Sequence, residues 1–185
     1  MSIILLVVVA AIALWVITAY NRLIALKNQV ANGWKQIDVQ LKRRHDLIPN
    51  LVNAVKGAMD FEKGTLEAVI AARNKAVAAT GVPQVARAEG ELTQALGRLF
   101  ALSENYPQLK ATANIQQLQE ELTSTENKVS FARQAYNDVA TAFNTAQQQF
   151  PTNLVAGLAK AWPAELWELE DPAERAVPNV DLRMN

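Results

Sequence analysis

Seventeen consecutive residues, Ile3 to Ala19 (IILLVVVAAIALWVITA), contain no charge, proline or glycine, and only Trp15 and Thr18 among them carry a polar side-chain group. At about 1.5 Å rise per residue the run is ~26 Å long as a helix, the short end of what a bilayer core requires. The pattern then changes. Apolar positions return at Leu23, Leu26, Val30, Trp34, Ile37, Leu41, His45, Ile48, Val52, Val55 and Met59, separated by three or four residues. That spacing draws one stripe along a helix. No glycine or proline lies between Ile3 and Asn32, so the spanning run is expected to continue directly into this amphipathic helix. Pro49 lacks a backbone donor and its ring crowds the preceding turn, which predicts a kink or break around His45–Pro49, with Asp46 placed to cap a restart.

Three further helices follow from the same pattern. One runs from about Glu62 to Ala79 with Leu66, Val69, Ile70, Arg73 and Val77 at helical spacing. Thr80-Gly81-Val82-Pro83 is a stop and a restart. The next runs from Gln84 to Asn105 with Val85, Ala88, Leu92, Leu96, Leu99 and Ser103 on one side, and Tyr106-Pro107 ends it. The longest has no glycine or proline from Lys110 to Phe150, and Ile115, Leu118, Leu122, Thr125, Val129, Ala132, Tyr136, Val139, Phe143, Ala146 and Phe150 recur at threes and fours. It reads as a coiled-coil-like rod that ends at Pro151. Asn153 to Trp162 fits a short helix. Beyond it, prolines, acids and the loss of periodicity read as an extended tail.

The first apolar run is longer than a signal-peptide core and lacks a basic region ahead of it, so it reads as a retained anchor, with Ile3, Leu14, Trp15 and Tyr20 as anchor residues. Residues 21–50 hold six Lys/Arg against Asp38 and Asp46, a balance of +4. By the positive-inside tendency this places the C-terminal domain in the cytoplasm of a bacterial cell, on a single pass through the inner membrane. The absence of cysteine fits a reducing compartment. Residues 161–185 carry the opposite balance, −4, so the two regions are candidates to attract each other.

Several stretches together resemble the LemA family of bacterial membrane proteins. They are YNRL from Tyr20, WKQIDVQLKRRHDLIPNLVNAVKG from Trp34 to Gly57, EAVIAAR from Glu67, ENYPQLKA from Glu104, LQEELTSTENKVSFARQAYND from Leu118 to Asp138, and FPTN from Phe150. The resemblance implies an N-terminal anchor and an up-and-down bundle of long helices. It implies no known enzymatic activity. It also implies a short extended segment near the C-terminus, to which Val180-Asp181-Leu182 corresponds loosely.

The inventory for catalysis is thin. Histidine occurs once, at His45, and no phosphate loop or dinucleotide fingerprint is present. Asp38 and Asp46 stand two helical turns apart, ~12 Å, too far for shared acid–base work. No catalytic residue, cofactor site or metal site is therefore expected. The densest charge run, Lys42-Arg43-Arg44-His45-Asp46, reads as a solvated face or as a contact surface made by Lys42, Arg43, Arg44 and Asp46, for anionic lipid or for the acidic tail. Nucleic acid is not expected, since net charge is zero and no aromatics interleave the cluster. His45 lies on the apolar stripe and reads as a satisfied core residue. Asn21, Asn50, Asn127 and Asn137 read as hydrogen-bonding groups that fix register inside the bundle, or else as a partner or subunit contact.

The expected protein is all-α: an N-terminal transmembrane helix (1–20) continuing into an up-and-down bundle of long antiparallel helices (21–162), then an acidic extended tail (163–185). Trp34, Ile37, Leu41, Val129, Tyr136 and Phe143 are the expected core. The expected function is a non-catalytic, membrane-anchored scaffold that self-assembles into a homo-oligomer against membrane lipid. The alternative is an adaptor that docks a separate membrane or signalling protein, such as a membrane protease or kinase.

Overall fold

A computed structural model describes residues 2–58, 63–106 and 112–168, with the side chains of 57 and 58 excepted. Met59 and Val180-Asp181-Leu182, singled out above, lie outside the described residues. The helices are α1 (Ser2–Ala58), α2 (Lys63–Ala78), α3 (Val82–Ser103), α4 (Ala113–Gln148) and the single turn α5 (Asn153–Ala156). No strand occurs among the described residues.

The first helix is 57 residues long, ~85 Å, and it joins the apolar run to the amphipathic stripe without interruption. Thr18, inside the apolar run, donates its hydroxyl to the Leu14 and Trp15 carbonyls at 3.0 and 2.8 Å, the only kind of partner a spanning helix offers itself. The expected break at His45–Pro49 does not occur: Pro49 lies inside α1. The reason is visible in α2. Proline at 49 leaves the His45 carbonyl without its helical donor, and Arg73 Nε supplies one instead at 3.2 Å.

α4 packs antiparallel along α1. Tyr136 lies against Gly33, its Cα only 3.5 Å from where a Cβ would stand. Towards the N-terminal end Leu23 clusters with Ala146, and towards the other end Ile48, Leu51 and Val52 cluster with Ile115, Leu118 and Leu122. Each step up α1 is thus matched by a step back along α4. The α2–α3 hairpin turns through Gly81, whose φ of 78° suits glycine, and Pro83 starts α3. It lays Leu66, Val69, Ala88, Leu92, Leu96 and Leu99 onto the far half of the α1–α4 pair. Four helices therefore share the distal core.

Nearer the apolar run the turn end of the hairpin still reaches the core through Val85 and Ala86, and beyond it the chain after α4 takes over the covering. Ala159 covers Leu23 and Ala146, and Trp167 joins Ile37, Tyr136 and Ala140. Of the expected core residues, Ile37, Leu41, Val129, Tyr136 and Phe143 are buried and Trp34 is half-buried. The short helix expected over Asn153–Trp162 is cut to α5, followed by turns. The tail expected from Pro163 is extended through residue 168, as far as it is described, and lies on the bundle through Trp167.

Candidate functional site

The basic run on α1 divides between two environments. A helix turns about 100° per residue, so five consecutive side chains cannot share a face. Lys42, Arg43 and Asp46 are exposed, whereas Arg44 and His45 point inward. Arg44 is 3 % exposed and is not part of a surface. It lies three residues after Leu41 and four before Ile48, which places it on the buried stripe.

Its partners come from two other helices. Arg44 Nη1 donates to Glu89 Oε2 at 3.1 Å, and Nη2 donates to Thr93 Oγ1 at 2.9 Å. Nη2 also lies 2.7 Å from Glu126 Oε2 as a close charge contact. His45 Nε2 pairs with the other Glu89 oxygen at 2.6 Å. Glu89 is buried on α3 between Val85 and Leu92, and Glu126 sits on α4 between Leu122 and Val129. Each of the three helices thus brings charge to its apolar stripe in one shared layer. Removing one member of such a group strands a buried charge, at a cost of about 3–5 kcal/mol. The His45–Glu89 couple has the parts of a base and its orienting group. Both are buried, and the carboxylate is also held by Arg44, so the group ties α1, α3 and α4 together at one register. Among the described residues no cluster of three or more histidines or acids is placed to hold a metal.

A second constellation holds the chain after α4. Asn144 accepts the Ala164 N–H on Oδ1 at 2.7 Å and donates Nδ2 to the Ala164 carbonyl at 2.8 Å. Two helical turns away, Asn137 does the same to Trp167, at 2.8 and 2.9 Å. Between them Tyr136 donates its hydroxyl to the Glu165 carbonyl at 2.7 Å. Burial raises the Tyr136 phenol above its ordinary pKa of 10.0, and the Glu165 carboxylate adds to the shift. The Trp167 ring seats beside Trp34 at 6.0 Å between centroids, Trp34 meets Tyr136 edge-on at 5.6 Å, and the Arg133 guanidinium lies 5.2 Å over Trp167. Side-chain amides here read a backbone as a neighbouring strand would. Of the asparagines expected inside the bundle, only Asn137 is turned to internal bonding in this way; Asn21, Asn50 and Asn127 are exposed.

Of the expected anchor residues, Ile3, Leu14 and Tyr20 are exposed and Trp15 is partly so. Among the described residues α1 is the one helix long and apolar enough to cross a membrane, and its first half fits a membrane anchor.

The family model for the LemA family matches residues 33–182. The chain is 26 % identical to Protein LemA of Metamycoplasma hominis over 165 residues, which is 88 % of this chain and 75 % of that protein. It is 30 % identical over 86 residues to Magnetosome proteins MamQ 1 and MamQ 2 of Paramagnetospirillum magneticum, covering 46 % of this chain and 31 % of each of them. With an apolar helix that fits an anchor, a long-helix bundle, and a family match over most of its length, this chain belongs to the LemA family.

Proposed function

We propose that this protein is a non-catalytic scaffold that self-assembles in the bacterial inner membrane, with its bundle on the cytoplasmic side. The observation that carries the reading is a groove on the α1–α4 face with an apolar floor, rimmed by Lys35, Gln36, Gln40 and Lys128. Val39 and Phe131 stand 63 % and 72 % exposed there, and Ala132 and Ala135 line the groove beside them. An exposed valine and phenylalanine that share one groove with two alanines make a contact patch that a second copy could cover. The stiffness of α1 supports the same reading, because a bundle fixed at one angle to its anchor repeats one lateral contact, which closes into a ring. Lys42 and Arg43 remain at the surface to meet acidic groups, and Arg44 does not. The inward pairing of the sole histidine with Glu89 favours a structural role over catalysis.

The chain contains no cysteine, so a single one reports cleanly. Phe131→Cys in native membranes should cross-link to a second copy through a short bifunctional thiol reagent, and Val39→Lys should abolish the cross-link. Cross-linking only to a different protein would replace self-assembly by the adaptor role. For orientation, a reporter active only outside the cytoplasm, fused after Asn185, should stay silent.

A further inference from the structure

We propose that the segment Phe150–Trp162 is a membrane foot: a second, shallow contact with the lipid surface, beside the point where α1 leaves the bilayer. This rests on the reading of the apolar run as an anchor.

The exposed large apolar side chains beyond Tyr20 are few among the described residues. Four of them, Phe150, Leu154, Leu158 and Trp162, fall within this one segment at spacings of four and are 68–80 % exposed. Their position in the fold gives them a common partner. α4 descends along α1 with Tyr136 against Gly33 and Ala146 beside Leu23. The same register carried to the end of α4 brings Phe150 level with Ala19, the last residue of the apolar run. Ala19 is itself buried, although its neighbours on the run are exposed, so the protein covers α1 down to that level. The chain then reverses and climbs, Ala164 opposite Asn144 and Trp167 opposite Asn137. The apex of the reversal therefore lies at the boundary between the apolar run and the amphipathic stripe.

The apex is built. Val155 and Ala159 are buried beneath it. The turn closes with the Ala161 N–H on the Ala156 carbonyl at 3.0 Å and the Lys160 N–H on the Gly157 carbonyl at 3.1 Å, with Lys160 at φ 46° in the left-handed cap position. Lys27 Nζ donates to the Lys160 carbonyl at 3.2 Å and ties the turn to α1. Inward residues thus fix the segment, and outward Phe, Leu, Leu and Trp are left to the headgroup zone, which extends several ångströms beyond the hydrocarbon core. Leu23 lies only four residues past Ala19, ~6 Å along the helix, inside that zone. Tryptophan at such a depth is a common interfacial anchor, and Arg22, three residues past Ala19, supplies a cation for anionic headgroups, with Lys160 exposed on the turn itself. The foot also compensates for a span at the short end of the bilayer thickness and fixes the tilt of the bundle.

Full-length chains carrying Phe150→Cys, Leu154→Cys or Leu158→Cys are spin-labelled and reconstituted in vesicles of phosphatidylcholine and phosphatidylglycerol. Val8→Cys in the apolar run and Val77→Cys on α2 serve as references. Relaxation by oxygen, which partitions into lipid, is compared with relaxation by an aqueous nickel chelate. The foot labels should show nickel accessibility several-fold below Val77→Cys and oxygen accessibility approaching Val8→Cys. Foot labels as nickel-accessible as Val77→Cys, with Val8→Cys in lipid, would overturn the foot and leave the anchor standing. A Val8→Cys label that is itself aqueous would overturn both. Labels shielded from oxygen and nickel alike would mean that protein, not lipid, covers the segment, which also overturns the proposal.

Discussion

Pro49 should cost α1 little, because Arg73 replaces the hydrogen bond that proline removes, and this can be measured as a coupling. The His45 carbonyl receives Arg73 Nε at 3.2 Å from the neighbouring helix. A hydrogen bond from a charged donor contributes about 1.5–3 kcal/mol, and Arg73 is only half-buried, so about 1–2 kcal/mol is expected here. Arg73→Met keeps most of the apolar stem and removes the guanidinium, and it should destabilise the parent by that amount. Pro49→Ala restores an N–H to the same carbonyl. In that background Arg73→Met should cost only a few tenths of a kcal/mol, giving a coupling of about 1 kcal/mol. The assay is denaturant unfolding of the full chain in non-ionic detergent micelles, followed by far-UV circular dichroism for the four chains of the cycle. An equal cost of Arg73→Met in both backgrounds would refute the reasoning, since the arginine would then act elsewhere.

Three more outcomes are expected. Glu89→Gln should lower stability by about 3–5 kcal/mol, because Arg44 and His45 both lose a buried carboxylate, whereas Lys42→Gln and Arg43→Gln should fall within about 0.5 kcal/mol of the parent in the same unfolding assay. The raised pKa of Tyr136 means that the fold favours the neutral phenol. Its contribution is present in full below the ordinary value of 10.0 and is lost as pH rises through the higher folded value, so alkaline melting curves should fall more steeply for the parent than for Tyr136→Phe. Gly33→Ala should stabilise α1 by about 0.5–1 kcal/mol, since an added Cβ meets Tyr136 and Val139 at 3.5–3.6 Å, ordinary contact distances; a fall in melting temperature would show that the α1–α4 approach is tighter than that.

The helices were legible because their apolar positions are periodic, and a period survives without any knowledge of the partner. The stripe on α3 corresponds residue for residue to the buried set, with Ala86 and Glu89 added; on α4 it holds from Ile115 to Ala146, except that Ala132 and Val139 are only partly buried, and Phe150, expected on the stripe, lies past the helix end and is exposed. Arg44 reads as surface because five adjacent polar residues look like one face in a linear reading, whereas the structure buries it. Helical spacing from Leu41 and Ile48 would have turned it inward, and Glu89 between Val85 and Leu92 was the matching signal. Pro49 suggested a break because the compensating donor is 24 positions later, in another helix. The docking of Trp167 was hidden for a different reason: an extended segment held by asparagine side chains leaves no periodic trace of its own. Its only signs were a tryptophan among acids and two asparagines, Asn137 and Asn144, two turns apart on α4.

The proposed assembly joins identical chains through faces held at a fixed angle to the membrane. The most direct measurement is the native mass of the full-length protein released from a mild detergent at moderate salt. One homogeneous species is expected at an integer multiple, two or more, of the 20.3 kDa chain, lost when Phe131 and Val39 are both replaced by Lys. A parent that flies as a single 20.3 kDa chain would contradict it.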